Sequence, residues 1–221
     1  MRYTYVRQHD TTDCAAACLA MVCLHYKKEI TITRLRDMMG TDLKGTNLTG
    51  MEKAAQELGF STAAVRVDRE NFLSEFTTPC IAQVITDEGL AHFVTVFKKT
   101  TIKDDGERRR HMVRQEEERK KCADEGKKFR CRDYVIIGDP AKELKKISLD
   151  EFYKNFTGVL LLMTPTSEFK TGKQKQGEHG QAFPRPAVAP EEALLLRHPQ
   201  LGHPDHHRES HPRCTTTNID G

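Results

Sequence analysis

Residues 8–26 read QHDTTDCAAACLAMVCLHY, and this stretch decides the fold. The first six residues are polar. From Cys14 to Leu24 eleven apolar residues then run without a break. That border predicts a helix over Cys14–Tyr26, with Thr11, Thr12 and Asp13 as candidate N-caps. A helix that is apolar almost all round belongs inside a core. Working outward, Ile32–Met39 reads as a second helix stopped by Gly40, and Leu48–Leu58 as a third closed by Gly59. The period then changes to two. Ser61–Val67, Cys80–Ile85, Phe93–Lys98 and Tyr134–Ile137 read as strands, with a turn at Asp87-Glu88-Gly89. Ser148 and Glu151 have capping-box spacing ahead of Phe152, Tyr153 and Phe156. Val159–Met163 reads as a last buried strand. Helices first and strands later predict an α+β fold, with no internal repeat.

Composition sets outer bounds. The chain has 221 residues, of which 37% are apolar and 30% charged, with a formal net charge of +3. So small a positive excess gives nucleic acid little support as a partner. The eleven-residue apolar run is too short to cross a bilayer, so the sequence as it stands is no membrane transporter. The polar start carries no secretory signal. Seven cysteines without scaffold spacing fit a reducing, cytoplasmic setting. The averages hide three segments. Residues 1–170 pattern as one domain, except that 21 of the 33 residues in 101–133 are Asp, Glu, Lys or Arg. That insert reads as a solvated helical or disordered excursion, or else as an extra contact surface for a precursor or partner. Residues 171–221 hold six of the ten histidines and six of the nine prolines, and read as a disordered tail.

The chemistry gathers at Cys14. Cys14 and Cys18 share a helix face, but two thiolates do not complete a zinc site, and Cys122-x8-Cys131 has no convincing partner pair. Cys18 and Cys23 are small buried hydrophobes within the apolar run. Cys14 alone stands on the first turn, where unpaired N–H groups and the helix dipole favour a thiolate. The dipole contributes only about 0.3–1 kcal/mol at an exposed end. Activation therefore needs an imidazolium. His92 opens an apolar strand beside a turn and is the best candidate. His9 and His25 flank the first helix and look solvent-facing, and His111 lies in the charged run. Asp139, fixed in extended backbone by Pro140, ends the strand Tyr134–Ile137. It would meet the His92 ring if the two strands were neighbours. Gln8, six residues before Cys14, supplies an amide donor that with the Cys14 N–H would hold an oxyanion.

The order Gln8, Cys14, His92, Asp139 resembles the papain-like cysteine peptidases. The segment Gln8–Met21 is similar to one family within them, the bacteriocin-processing peptidase domain. That domain usually lies at the cytoplasmic N-terminus of ABC transporters exporting peptides with double-glycine leaders. Gly45–Gly50, Ala54–Phe60, Pro79–Ala82, His92-Phe93-Val94 and Gly138-Asp139-Pro140 carry the resemblance further, as do Ser148–Gly158 and Pro165–Lys170. It implies a papain-like fold, with an N-terminal helical half packed on a C-terminal antiparallel β half. It also implies Cys14 as nucleophile, His92 as general base and acid, Asp139 as orienting carboxylate and Gln8 as oxyanion donor. The implied reaction is cleavage after a Gly-Gly or Gly-Ala pair, with the leader bound as an amphipathic helix. No metal or organic cofactor is needed. Transporter membrane and nucleotide domains on a separate chain are the implied partners.

Three departures stand out. Ala15 replaces a glycine common after the nucleophile, the insert lengthens the path from His92 to Asp139, and the tail carries no spans. The tail suggests a truncated or frame-shifted gene product. A metal-binding cluster of His203, His206, His207 and His211 is the other reading of it. A non-catalytic leader-binding module and an inactive remnant are the alternatives to an enzyme.

Overall fold

The computed structural model describes residues 2–42, 45–173 and 187–190. After strand β1 (Arg2–Tyr5), a single 3-10 turn over Thr11–Asp13 leads straight into helix α1 (Cys14–His25). Asp10, not the three residues after it, caps this entry, by a reciprocal pair of bonds with Asp13. Asp13 makes no side-chain cap on α1 itself. Its buried carboxylate instead accepts from the Asp10 N–H (3.0 Å) and from Arg36 (2.8 Å). Cys14 to Cys23 are all buried, as an apolar circumference requires. After the short strand β2 (Lys28–Glu29), helices α2 (Ile32–Met39) and α3 (Leu48–Glu57) pack around α1. Thr31 and Asn47 cap them, and Gly40 ends α2 in a left-handed conformation.

The remaining strands are β3 (Phe60–Arg66), β4 (Cys80–Ile85), β5 (Ala91–Lys99), β6 (Tyr134–Gly138), β7 (Leu144–Ser148) and β8 (Phe156–Pro165). They form one antiparallel sheet in the order β3-β8-β4-β5-β6-β7. The helical half covers one face. Phe93 and Phe97 of β5 point into its core, together with Leu19, Met21, Ile81 and Leu161. The alternate residues Val94 and Val96 belong to a second core on the opposite face. Helices α4 (Arg69–Phe72) and α6 (Leu149–Asn155) close that face with Phe72, Phe152 and Phe156, whose rings touch. Ser148 caps α6 by accepting from Glu151 N.

The charged insert forms a helix, α5 (Asp105–Asp124), beside α4. Its polarity does not leave it free in solvent. Arg108 is buried and donates to the Ile102 carbonyl, and Arg119 donates to Asp150 of α6 (3.0 Å). His111 and Gln115 reach the buried Asp133. In the tail, β9 (Gly172–Lys173) pairs with β2 and β10 (Ala187–Pro190) with β1, so two short pieces of a segment expected to lack structure are strands. His203, His206, His207 and His211 lie outside the described residues. Among the described residues, no helix is long and apolar enough to cross a membrane.

Candidate active site

The site forms where the start of α1 meets one end of the sheet. β5 and β6 are neighbours, with Thr95 opposite Gly138, so the strand carrying His92 lies beside the strand that ends at Asp139. The His92 Nε2 lies 2.8 Å from Asp139 Oδ1. Both residues are buried. Nδ1 is thereby left to face the Cys14 thiol, which helps to hold the ring's proton. Beneath them, Thr95 donates to the Cys18 carbonyl (3.4 Å) and ties β5 to α1. Gly138 makes the close approach possible. A Cβ there would lie 2.9 Å from both the Met21 sulfur and the Phe97 ring, so only glycine lets β6 settle against α1 one residue before Asp139.

The electrostatics follow from these contacts. Burial pulls the His92 imidazole down, but hydrogen bonds and charge from Asp139 and Cys14 outweigh it and hold the ring up at about 9. Burial pushes the Asp139 carboxyl up, yet the bonds from His92 and from Ala141 N–H (3.0 Å) keep it below the ordinary carboxylate value. At neutral pH the pair is therefore an imidazolium and a carboxylate. Cys18 and Cys23 are different in kind. Burial drives the Cys18 thiol well above the ordinary value and Cys23 to about 12.

Gln8 reaches the site through its backbone. Its N–H donates to the Pro140 carbonyl (3.0 Å), directly after Asp139. Its amide Oε1 is buried without a hydrogen-bond partner. Rotating the amide would put the donor nitrogen in that unpaired position. Ala15 is fully buried, so its methyl belongs to the core and not to open space above Cys14. His9 is exposed as expected, but His25 is half-buried and packs edge-on to Tyr26.

A cleft of about 500 Å³ opens beside the pair. Val84, Val94 and Ile137 lie along its floor and Phe152 in one wall, with Lys142 and Lys154 among its polar residues. Ile85 and Leu90 stand exposed on the β4–β5 hairpin next to it. Sequence reading missed this cleft because its apolar residues are spread over five elements. It also missed Tyr5, whose hydroxyl donates to the Asp139 carbonyl (3.0 Å) and the Pro140 carbonyl (3.3 Å). The alternation of Tyr3, Tyr5 and Arg7 was the available signal. Among the described residues, no group of three or more His, Cys, Asp or Glu side chains could hold a metal ion.

Known proteins resemble this chain in sequence and fold. The chain is 32% identical over 180 residues to the lactococcin-G-processing and transport ATP-binding protein LagD of Lactococcus lactis subsp. lactis, a match covering 81% of this chain and 21% of LagD. It is 29% identical over 175 residues to the transport/processing ATP-binding protein ComA of Streptococcus pneumoniae, covering 78% and 20%. It thus spans about a fifth of the length of these relatives. The crystal structure of the peptidase domain of Streptococcus ComA, a bi-functional ABC transporter involved in quorum sensing, superposes with a TM-score of 0.56 at 27% identity, covering 74% of this chain and 99% of that one. A double-glycine-motif protease from an AMS/PCAT transporter, solved with its leader peptide, superposes at 0.53 and 29% identity, covering 73% and 91%. The model of the Peptidase C39 family matches residues 2–120 and 127–168, and this chain belongs to that family.

Proposed function

We propose that the chain is a cysteine endopeptidase that removes the leader of a bacteriocin-like precursor after a double-glycine-type pair. The observation that carries this reading is the buried Cys14–His92–Asp139 set, with a 2.8 Å bond between ring and carboxylate, at the uncapped start of a helix. Asp139 holds Nε2, so Nδ1 faces the thiol. The Cys14 thiolate attacks the carbonyl of the second small residue. The tetrahedral oxyanion is met by the Cys14 N–H and the Gln8 amide. The imidazolium then protonates the leaving amine, and water activated by the neutral ring releases the acyl-enzyme. The leader helix lies in the cleft beside His92, its apolar side on Val84, Val94 and Phe152. Ile85 and Leu90 extend that apolar surface. No metal or organic cofactor takes part. The work is done at the cytoplasmic face of a membrane, coupled to an exporting ABC transporter.

The test is incubation with a peptide carrying an amphipathic leader and a Gly-Gly junction, the cut being located by mass spectrometry. Cleavage after the pair is expected. Leader binding without cleavage by the unaltered protein would leave only a binding module.

A further inference from the structure

We propose that Tyr5 is a positioning residue for Asp139, its hydroxyl setting the depth of the Asp139–Pro140 turn so that the carboxylate meets His92. The proposal rests on the catalytic reading of Cys14, His92 and Asp139. Asp139 Oδ1 is shared between His92 Nε2 and Ala141 N–H, so the carboxylate turns with the loop it stands on. Within that loop Asp139 N–H donates to the Glu143 carbonyl, and Lys142 N–H to the Asp139 carbonyl. These bonds hold the loop to itself and fix nothing relative to α1. Two donors of the N-terminal segment reach it from outside, Tyr5 Oη to both carbonyls and Gln8 N–H to that of Pro140.

Tyr5 is well placed to hold that position. Its neighbours Tyr3 and Val6 are buried in the first core, with the Tyr3 ring 5.3 Å from that of Phe97 on β5, the strand of His92. The hydroxyl is thus referenced to the same strand as the imidazole. The arrangement is a three-sided frame. β5 carries the ring, β6 leads into the carboxylate, and β1 reaches both, through Tyr3 at Phe97 and Tyr5 at the Asp139 and Pro140 carbonyls. Gln8, three residues further on, shares the strap, so the oxyanion donor and the carboxylate are set by one segment.

Tyr5→Phe removes a single oxygen and keeps the ring. On a Gly-Gly leader peptide, kcat is expected to fall about two- to tenfold, the size of one net hydrogen bond, with KM within about twofold. Loss of bulk positioning alone would lower the amplitude at every pH equally. A loosened Asp139 instead weakens its hold on the His92 proton, so the alkaline limb of kcat/KM should move to lower pH. The same downward shift is expected in the His92 ring titration followed by NMR, which needs no substrate. Tyr153→Phe is the control, because Tyr153 carries a buried hydroxyl without a partner on α6, and its limbs should stay put. Unmoved limbs in Tyr5→Phe, or an equal shift in Tyr153→Phe, would overturn the proposal. If Cys14→Ala and His92→Ala still cut the peptide, the catalytic reading itself falls, an outcome distinct from unmoved limbs.

Discussion

Among the described residues, two histidine–aspartate pairs are of nearly the same length. His92 and Asp139 are 2.8 Å apart, and His111 and Asp133 are 2.9 Å apart. Both aspartates are almost wholly enclosed. Their surroundings separate them. The His92 ring has a thiol on its far side, at the first turn of a helix, and a cleft beside it. His111 has Gln115 of its own helix as companion, and Asp133 takes bonds from both. The second pair fastens α5, a helix too polar to dock by apolar contact alone. A His–Asp pair is therefore not a site. What makes one is a nucleophile on the other ring nitrogen and room for a substrate.

That contrast breaks first at Cys14. Cys14→Ala should reduce cleavage at least about ten-thousandfold, as should His92→Ala, because nucleophile and base act as one unit. A Cys14→Ala protein that still cuts would place the nucleophile elsewhere. Asp139→Asn should cost about a hundredfold or more in kcat by leaving the ring poorly held. The corresponding change in the other pair, Asp133→Asn, should leave kcat within about twofold. Comparable losses at the two aspartates, measured side by side on one leader peptide, would erase the distinction. Thiol chemistry sharpens it further. Peptide mapping after brief iodoacetamide treatment at pH 7 should find Cys14 modified at least about tenfold faster than Cys18 or Cys23, since burial holds those two thiols protonated and out of reach.

The fastening role has its own measurement. Asp133→Ala leaves Gln115, itself buried, without its carboxylate acceptor, and His111 without its hydrogen-bond partner. A destabilisation of about 1–3 kcal/mol is expected in urea unfolding. The peptidase rate at temperatures well below the melt should hardly change. A large loss of activity in a stable Asp133→Ala protein would tie α5 to the cleft and contradict the separation of the two pairs.

The helical half was legible because its signal is local. An apolar run starting after polar residues fixes α1, and Gly40 and Gly59 stop the next two helices. The strands near the His92–Asp139 pair were legible too, with ends differing by a residue or two. β5 begins at Ala91 and β6 runs on to Gly138. The edge strand β7 was not, because Leu144–Ser148 is half polar and half-buried. α5 was read as a solvated excursion because its anchors are polar. Composition cannot tell a buried Arg108 or Gln115 from an exposed one, and their partners Ile102 and Asp133 come from outside the helix. For the site, residue types and order named the four candidates. For Tyr5 the sequence shows only the alternation of Tyr3, Tyr5 and Arg7, and not the turn 134 residues away that its hydroxyl meets.

The smallest expected effect is on stability against pH, and it too separates the pairs. His92 is raised from 6.5 to about 9 in the folded chain. A raised group stabilises the fold fully below its unfolded value and loses that contribution as pH climbs through the folded one. Asp139 is lowered, so its contribution is present above the ordinary carboxylate value and fades on acidification. Together they define a window from roughly pH 5 to pH 6 in which the ion pair contributes in full. Melting temperatures of the unaltered protein and of His92→Ala should therefore lie furthest apart in that window. They should approach each other between pH 7 and 10, with the protein otherwise intact. A gap that stays constant to pH 10 would mean that His92 is held by packing and not by charge. The ring would then be neutral at working pH, and the thiol would lose its imidazolium partner.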